Sequence, residues 1–341
     1  MSESQADEAA LGHWLEASVE GFAGPFTLEK FPSGQSNPTY RIRAVSGDYV
    51  MRRKPFGRLL PSAHAVDREY RLLSGLHPLG FPVPKPLAMC EDPQVIGTIF
   101  YVMEMAKGRS YPDGALGEFD PSTRRRMYEQ LIDTLADLHT IDPVAADLAD
   151  FGKPGNYFER QVARWTRQYR DSQTDYIPEM ERLIAFLPQR LPVQSRTSIV
   201  HGDYRIDNVI YDGDGTLTAV LDWELATLGD PLADFSYLAM QWVMPADGGA
   251  GLAGLDLAAL GIPSLDEVVQ RYADRAGVPI ESELDWYFAY NLFRLAGIVQ
   301  GIKKRVIDGT ASHANAQEMA KRVPMLASAA WTFAKNAGAA G

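Results

Sequence analysis

The sequence predicts an α+β chain of two lobes: a small strand-rich N-terminal lobe over residues 1–105 and a larger, mainly helical C-terminal lobe over 106–341. Three observations carry this. Short β-branched and aromatic runs at 26–31, 39–45 and 49–53 are separated by turn residues. From residue 121 onward the apolar positions recur at three- and four-residue intervals instead. Between the two regimes, Ala106-Lys107-Gly108 breaks the last strand pattern.

Taken in order, residues 7–20 carry helical spacing through Leu11, Trp14, Leu15 and Val19. The small-residue loop Pro32-Ser33-Gly34-Gln35-Ser36-Asn37 separates the first two strands, and Ser46-Gly47-Asp48 turns the second into the third. A helix over 62–76, capped by Ser62, gathers Val66, Tyr70, Leu73 and Leu76 and carries Glu69. Phe81-Pro82-Val83-Pro84-Lys85-Pro86 must be extended, because three prolines remove donors and fix the backbone. It leads to a strand pair ending in Ile99-Phe100-Tyr101-Val102-Met103-Glu104-Met105, so Glu104, Met105 and Ala106 read as the connector between lobes.

In the second lobe, Met127, Leu131, Leu135 and Leu138 make a core stripe over 121–138, and His139 follows where an imidazole can bond the last helix carbonyls. Residues 156–170 place Arg160, Arg164 and Arg167 on one helical face, interleaved with Trp165 and Tyr169. The stretches 284–306 and 314–335 close the chain as two long helices. In the first, Trp286, Tyr290, Phe293, Gly297 and Gln300 approach one face.

Composition narrows the function classes. With 341 residues, 46% hydrophobic and 23% charged, the chain can bury a sizeable core. A single cysteine, Cys90, excludes an intramolecular disulfide and a cysteine-built metal site. The net charge of -11 argues against a nucleic-acid surface, which needs clustered Lys and Arg. No run approaches the roughly 20 apolar residues of a membrane-spanning helix. Met1-Ser2-Glu3-Ser4-Gln5 also lacks the basic start of a signal peptide, so a cytoplasmic address is expected.

Chemistry concentrates in His201-Gly202-Asp203-Tyr204-Arg205-Ile206-Asp207-Asn208, followed by Leu221-Asp222-Trp223-Glu224. In phosphoryl transfer from ATP, one carboxylate orients the attacking hydroxyl and accepts its proton. A carbonyl oxygen and a second carboxylate hold Mg²⁺ against the phosphates. Asp203, Asn208 and Asp222 suit those roles in turn. The flanking strand patterns place Asn208 and Asp222 near the open end of one hairpin, within reach of a shared ion. Glu224, two positions on, is a candidate to share the face of Asp222, and His201 reads as a residue bonding within the loop.

This string resembles the catalytic loop and metal strand of the aminoglycoside phosphotransferase and choline kinase superfamily, relatives of protein kinases. Asn156-Tyr157-Phe158-Glu159-Arg160-Gln161 resembles a subgroup, the kinase-like domains joined to acyl-CoA dehydrogenases. The resemblance implies a bilobal protein-kinase-like fold with ATP and Mg²⁺ between the lobes. It places Arg52 where relatives carry the phosphate-binding lysine, with Lys54 as the second candidate on the same strand face. It makes Glu69 the carboxylate orienting that cation, and Ser33, Gly34, Gln35, Ser36 and Asn37 the loop over the phosphates. It further implies that backbone groups of Glu104, Met105 and Ala106 meet adenine, and that Asp230 braces the catalytic loop.

Superfamily members phosphorylate small-molecule hydroxyls on aminoglycosides, choline, sugars, amino acids and hydroxylated acyl-CoA derivatives. The Arg160, Arg164 and Arg167 face points to an anionic acceptor of the last kind, with an antibiotic phosphotransferase as the second reading. Cationic acceptors would want carboxylates such as Glu281, Glu283 and Asp285. An ATP-binding regulatory pseudokinase is the alternative of another class. Arginine in place of the usual lysine favours it, and the intact Asp203, Asn208 and Asp222 oppose it.

Overall fold

A computed structural model describes residues 3–31, 37–56, 65–246, 249–280, 284–310 and 316–340. The first lobe starts with helix α1 (Glu3–Ser18), followed by strands β1 (Phe26–Lys30), β2 (Thr39–Ala44) and β3 (Gly47–Arg53). Helix α2 (Val66–Leu76) precedes β4 (Pro86–Cys90) and β5 (Phe100–Glu104). The five strands form one antiparallel sheet in the order β1-β2-β3-β5-β4. Strand alternation divides its side chains between two cores. Met51, Phe100 and Val102 bury with Leu11 and Leu15 of α1 on one face. Val50, Tyr101 and Met103 bury with Leu72, Leu73 and Leu76 of α2 on the other, a core continuous with the second lobe. Arg52 has the parity of Val50, and that parity turns its side chain toward α2 and the helical lobe.

The second lobe holds α3 (Pro121–Thr140), α4 (Tyr157–Ser172) and α5 (Pro178–Phe186), then β6 (Ser198–Val200), β7 (Val209–Tyr211), β8 (Leu217–Val220) and β9 (Thr227–Gly229). Helices α6 (Leu232–Ala239), α7 (Leu257–Leu260), α8 (Leu265–Ala276), α9 (Asp285–Ile307), α10 (Ala316–Ala320) and α11 (Val323–Asn336) complete it. Helix α9 is buried on nearly every side for its first four turns, which its predominantly apolar and aromatic sequence requires. It packs against α4, α6 and α11. No described helix is long and apolar enough to cross a membrane.

Two local expectations change. The single helix foreseen over 314–335 is divided between α10 and α11, because Pro324 lacks an N–H and restricts the residue before it. Residues 227–229, to which the sequence reading assigned no element, form β9, which pairs antiparallel with β6. The N-cap assigned to Ser62 lies outside the described residues, as do Ser33, Gly34, Gln35, Ser36, Glu281 and Glu283.

Candidate functional site

The loop 201–208 leaves β6 and is fixed from several sides. Asp234 on α6 accepts the backbone N–H of His201 at 2.6 Å and of Gly202 at 2.7 Å. The His201 Nε2 lies 2.8 Å from the Leu221 carbonyl, which can only accept, so this nitrogen carries the proton and Nδ1 accepts the Asp203 N–H at 3.2 Å. Tyr204 and Ile206 are fully buried anchors, and the Tyr204 hydroxyl donates to the Leu131 carbonyl on α3 at 2.8 Å. Gly202 sits at φ +87°, and a Cβ there would stand 2.8 Å from the Leu225 carbonyl oxygen. Only glycine fits that close approach without displacement.

Asn208 donates from Nδ2 to the Asp203 carbonyl at 2.8 Å and to Asp203 Oδ2 at 3.1 Å. With its nitrogen committed, the amide oxygen is the end that remains for a cation. Pairing of β7 with β8, continued by Leu221 N–H to the Asn208 carbonyl at 2.8 Å, sets Asn208 beside Asp222 at the hairpin mouth. Asp222 adopts φ +65°, a left-handed conformation costly for most residues and better tolerated by Asp and Asn. The turn holds because Trp223 is buried, donates to the Val220 carbonyl at 3.0 Å, and packs on His201 with ring centroids 4.5 Å apart.

From the first lobe, Arg52 reaches into this mouth. Its Nε lies 2.8 Å from Glu69 Oε2, and its Nη2 lies 3.1 Å from Asp222 Oδ1 and 3.7 Å from Glu224 Oε2. Glu69 is 3% exposed and also accepts from Asn37 Nδ2 at 2.7 Å and the Tyr101 hydroxyl at 3.1 Å. Burial pushes the Glu69 carboxyl up to about 7, with Arg52 and the two hydrogen bonds pulling the other way. Lys54 takes a different partner, Asp67 on α2, at 3.5 Å. Thus Arg52, not Lys54, makes the glutamate pair.

The Asp230 role is corrected. Its Oδ1 accepts the Leu232 N–H at 2.9 Å at the start of α6, while the brace on the 201–208 loop is Asp234, one turn later. Behind Asp234 lies His139, fully buried rather than bonded to helix-end carbonyls. Its Nε2 is 3.3 Å from Asp234 Oδ2 and its Nδ1 accepts from the Tyr272 hydroxyl at 2.7 Å. Burial lowers the imidazole below its usual value, so it is neutral. Burial works to raise Asp234, but His139 and the loop amides outweigh it and leave the carboxylate ionised.

The three aligned arginines separate in function. Arg160 donates to the Gly155 carbonyl and, at 2.6 Å, to the Lys153 carbonyl, so its guanidinium ties down the segment before α4. Arg164 is exposed and stacks on Trp165 at 5.2 Å, and Arg167 is exposed. The sequence reading passed over Arg294 on α9, which donates to the Gly202 carbonyl at 2.7 Å. A lone charge amid the apolar run 286–299 was the available signal, since such a residue is buried only with partners. Glu104 ends β5, where the strand ladder stops ahead of Met105 and Ala106.

Oxygen donors from Asn208 and Asp222 fit a hard divalent cation. Among the described residues no group of three or more His, Cys, Asp or Glu could hold a metal. Two protein oxygens suit Mg²⁺, which is commonly shared with substrate phosphates rather than caged by protein alone.

Comparison with known proteins agrees with this geometry. The family model described as "Phosphotransferase enzyme family" matches residues 27–287. Mouse acyl-CoA dehydrogenase family member 10 is 45% identical over 318 residues, covering 92% of this chain and 30% of that protein. Chicken acyl-CoA dehydrogenase family member 11 is 39% identical over 331 residues, covering 94% of this chain and 42% of that protein. The chain therefore spans less than half the length of these relatives. A Ralstonia eutropha JMP134 crystal structure, named as a presumptive aminoglycoside phosphotransferase, is 46% identical with a TM-score of 0.88, covering 96% of this chain and 98% of that one. A thermostable aminoglycoside phosphotransferase APH(4)-Ia mutant, in ternary complex with ADP and hygromycin B, shares the protein-kinase-like fold with a TM-score of 0.59 at 14% identity, covering 98% and 99%. By its sequence over residues 27–287 and its fold over nearly the whole length, the chain belongs to the kinase-type phosphotransferase enzyme family.

Proposed function

We propose that this chain transfers the γ-phosphate of ATP, with Mg²⁺, to the hydroxyl of a small molecule. The convergence of Asp203, Asn208 and Asp222 with the Arg52–Glu69 pair at one mouth between the lobes carries the reading. Bound MgATP supplies the phosphoryl group and the ion that neutralises charge developing on it. Asp203 orients the acceptor hydroxyl and takes its proton. Asn208 and Asp222 would hold the ion through their oxygens. Arg52, positioned by Glu69, would hold phosphate oxygens with its planar fork, a role to which arginine is chemically suited. The loop over Ser33, Gly34, Gln35, Ser36 and Asn37 would cover the phosphates, and the 104–106 backbone would meet adenine at the boundary between a 1–105 lobe and a 106–341 lobe. His201 and Asp234 keep the loop in place, and Glu224 faces Arg52 at the edge of the ion site.

For the acceptor we favour an anionic hydroxyacyl-CoA-type molecule. The support is the identity to proteins named as acyl-CoA dehydrogenase family members and the arginines on α4 and α9. An aminoglycoside is the second reading, supported by the name of the Ralstonia structure. ATP consumption with Mg²⁺ against hydroxyacyl-CoAs, aminoglycosides and choline-like alcohols tests the reading. Turnover on one class that falls by about 10²–10⁴ in Asp203→Asn supports it. Equal turnover in parent and variant would sink the assignment of Asp203.

A further inference from the structure

Arg294 is 8% exposed and is the one charged residue in the mainly apolar stretch 286–302 of α9, and a buried guanidinium needs a reason to be there. Of the five N–H donors such a group carries, one is accounted for, by the Gly202 carbonyl at 2.7 Å. Its Nε is buried with no hydrogen-bond partner among the described residues. The cation is flanked by aromatic faces: Cζ lies 5.5 Å from the Trp165 ring and 5.0 Å from the Tyr237 ring. Of the groups that act on it, the Asp203 carboxylate carries the charge, and the phenols of Tyr237, Tyr290 and Tyr157 stay neutral because burial raises them. The Asp203 carboxylate acts on the Tyr237 phenol as well. A brace on one carbonyl would not require a fixed positive charge, because a neutral donor would serve.

We infer that Arg294 is a specificity-determining residue of the acceptor site, donating to an oxygen of the acceptor that lies only a few bonds from the hydroxyl held by Asp203. The inference rests on the phosphotransferase reading for the role of Asp203 and adds a residue and a selection rule to it. Gly202 and Asp203 are consecutive, so their Cα atoms are about 3.8 Å apart. A group bonded to Arg294 therefore stands within a short molecule's length of the catalytic carboxylate. The two side chains are complementary to one pattern: Asp203 accepts from a hydroxyl, and Arg294 donates to a nearby carboxylate or carbonyl oxygen. A cationic group at the second position meets a like charge that burial keeps poorly screened. The Trp165 ring lies 5.5 Å from the Arg294 guanidinium and 5.2 Å from that of the exposed Arg164.

Three four-carbon probes that differ at a single position test this: 3-hydroxybutyrate, butane-1,3-diol and 4-aminobutan-2-ol, titrated by ligand-observed NMR against the full chain with Mg²⁺ and a non-hydrolysable ATP analogue. Binding is read without turnover, so the outcome stands apart from whether phosphate is transferred, which ATP consumption decides separately. The parent should bind the acid more tightly than the diol by about tenfold, as a charge-assisted hydrogen bond implies, and the amine least. Arg294→Met should bring the acid-to-diol ratio near unity, Arg294→Lys should keep part of it, and Arg43→Gln, which changes an exposed arginine paired with Glu29 on the first lobe, should leave it intact. No charge preference in the parent, a preference that survives Arg294→Met, or one that disappears in Arg43→Gln would each overturn the inference. The parent's own ranking decides even where a variant fails to fold.

Discussion

Arg52 and Asp222 lie 170 residues apart in sequence and meet at 3.1 Å, with the same guanidinium bonded at 2.8 Å to Glu69. One arginine thus joins the sheet, α2 and the hairpin mouth. A planar fork has separate N–H edges for these two partners, whereas a lysine ammonium is a single point on a flexible stem. In the proposed site Asp222 holds an ion, so MgATP binding would exchange the Asp222 contact of Arg52 for phosphate oxygens. Arg52→Lys should keep the Glu69 pair and lose the second contact. The ATP KM should rise about tenfold, the size of one charge-assisted hydrogen bond. An unchanged KM would mean that the fork is not used on phosphate.

The Arg52–Glu69 pair is also structural. Glu69 is 3% exposed, so removing its cation strands a buried carboxyl. Arg52→Met should destabilise the protein by about 3 kcal/mol, the usual cost of breaking a buried ion pair from one side. Adding Glu69→Gln should recover part of that loss, because the neutral amide needs no counter-charge. Thermal melts of the two single variants and the double variant check this. Additive losses would show that the pair is not coupled.

Asp234 and Asp230 sit four residues apart and do different work. Asp234→Ala strands the N–H groups of His201 and Gly202, each costing roughly 1–3 kcal/mol when buried without a partner. It should lower both melting temperature and kcat, since the displaced loop carries Asp203. Asp230→Ala removes one hydrogen bond, from the Leu232 N–H, worth about 1 kcal/mol, and should leave kcat close to the parent. Melting curves and steady-state rates on the same preparations separate the two. The reverse ranking in kcat would return the brace to Asp230.

That exchange shows what the sequence made legible. The sheet was readable because alternation and turn residues act locally, and Asp203, Asn208 and Asp222 because their spacing along two short strands fixes their relation. Arg52 and Glu69 could be paired only through family resemblance, since strand and helix meet across a loop of unstated path. Asp234 was hidden because Asp230 and Asp234 both flank the same Gly-Asp-Pro turn, and only the placement of α6 decides which carboxylate faces the loop. Arg294 and His139 depend on how α9 and α3 dock, which periodicity does not specify. The α4 arginines were aligned as read, but alignment on one face did not foretell that Arg160 would turn back onto carbonyls preceding its own helix.

His139 gives a pH dependence whose sign is fixed by burial. Its folded-state value lies below the ordinary 6.5, because burial disfavours the imidazolium more than Asp234 favours it. In the unfolded chain the group takes a proton near 6.5, while in the folded protein it resists until lower pH. The unfolded state therefore binds more protons as pH falls below that value, and stability present above it is progressively lost. Besides Asp234 and the Tyr272 hydroxyl bonded to Nδ1, the groups acting on the ring include Arg196 and His201, both of which also disfavour its protonation. The parent's melting temperature should fall between pH 7 and pH 5 more steeply than that of His139→Gln, which has no proton to gain. Parallel melting profiles would show that the buried ring protonates as freely folded as unfolded, and the neutral His139–Asp234 pair would have to be abandoned.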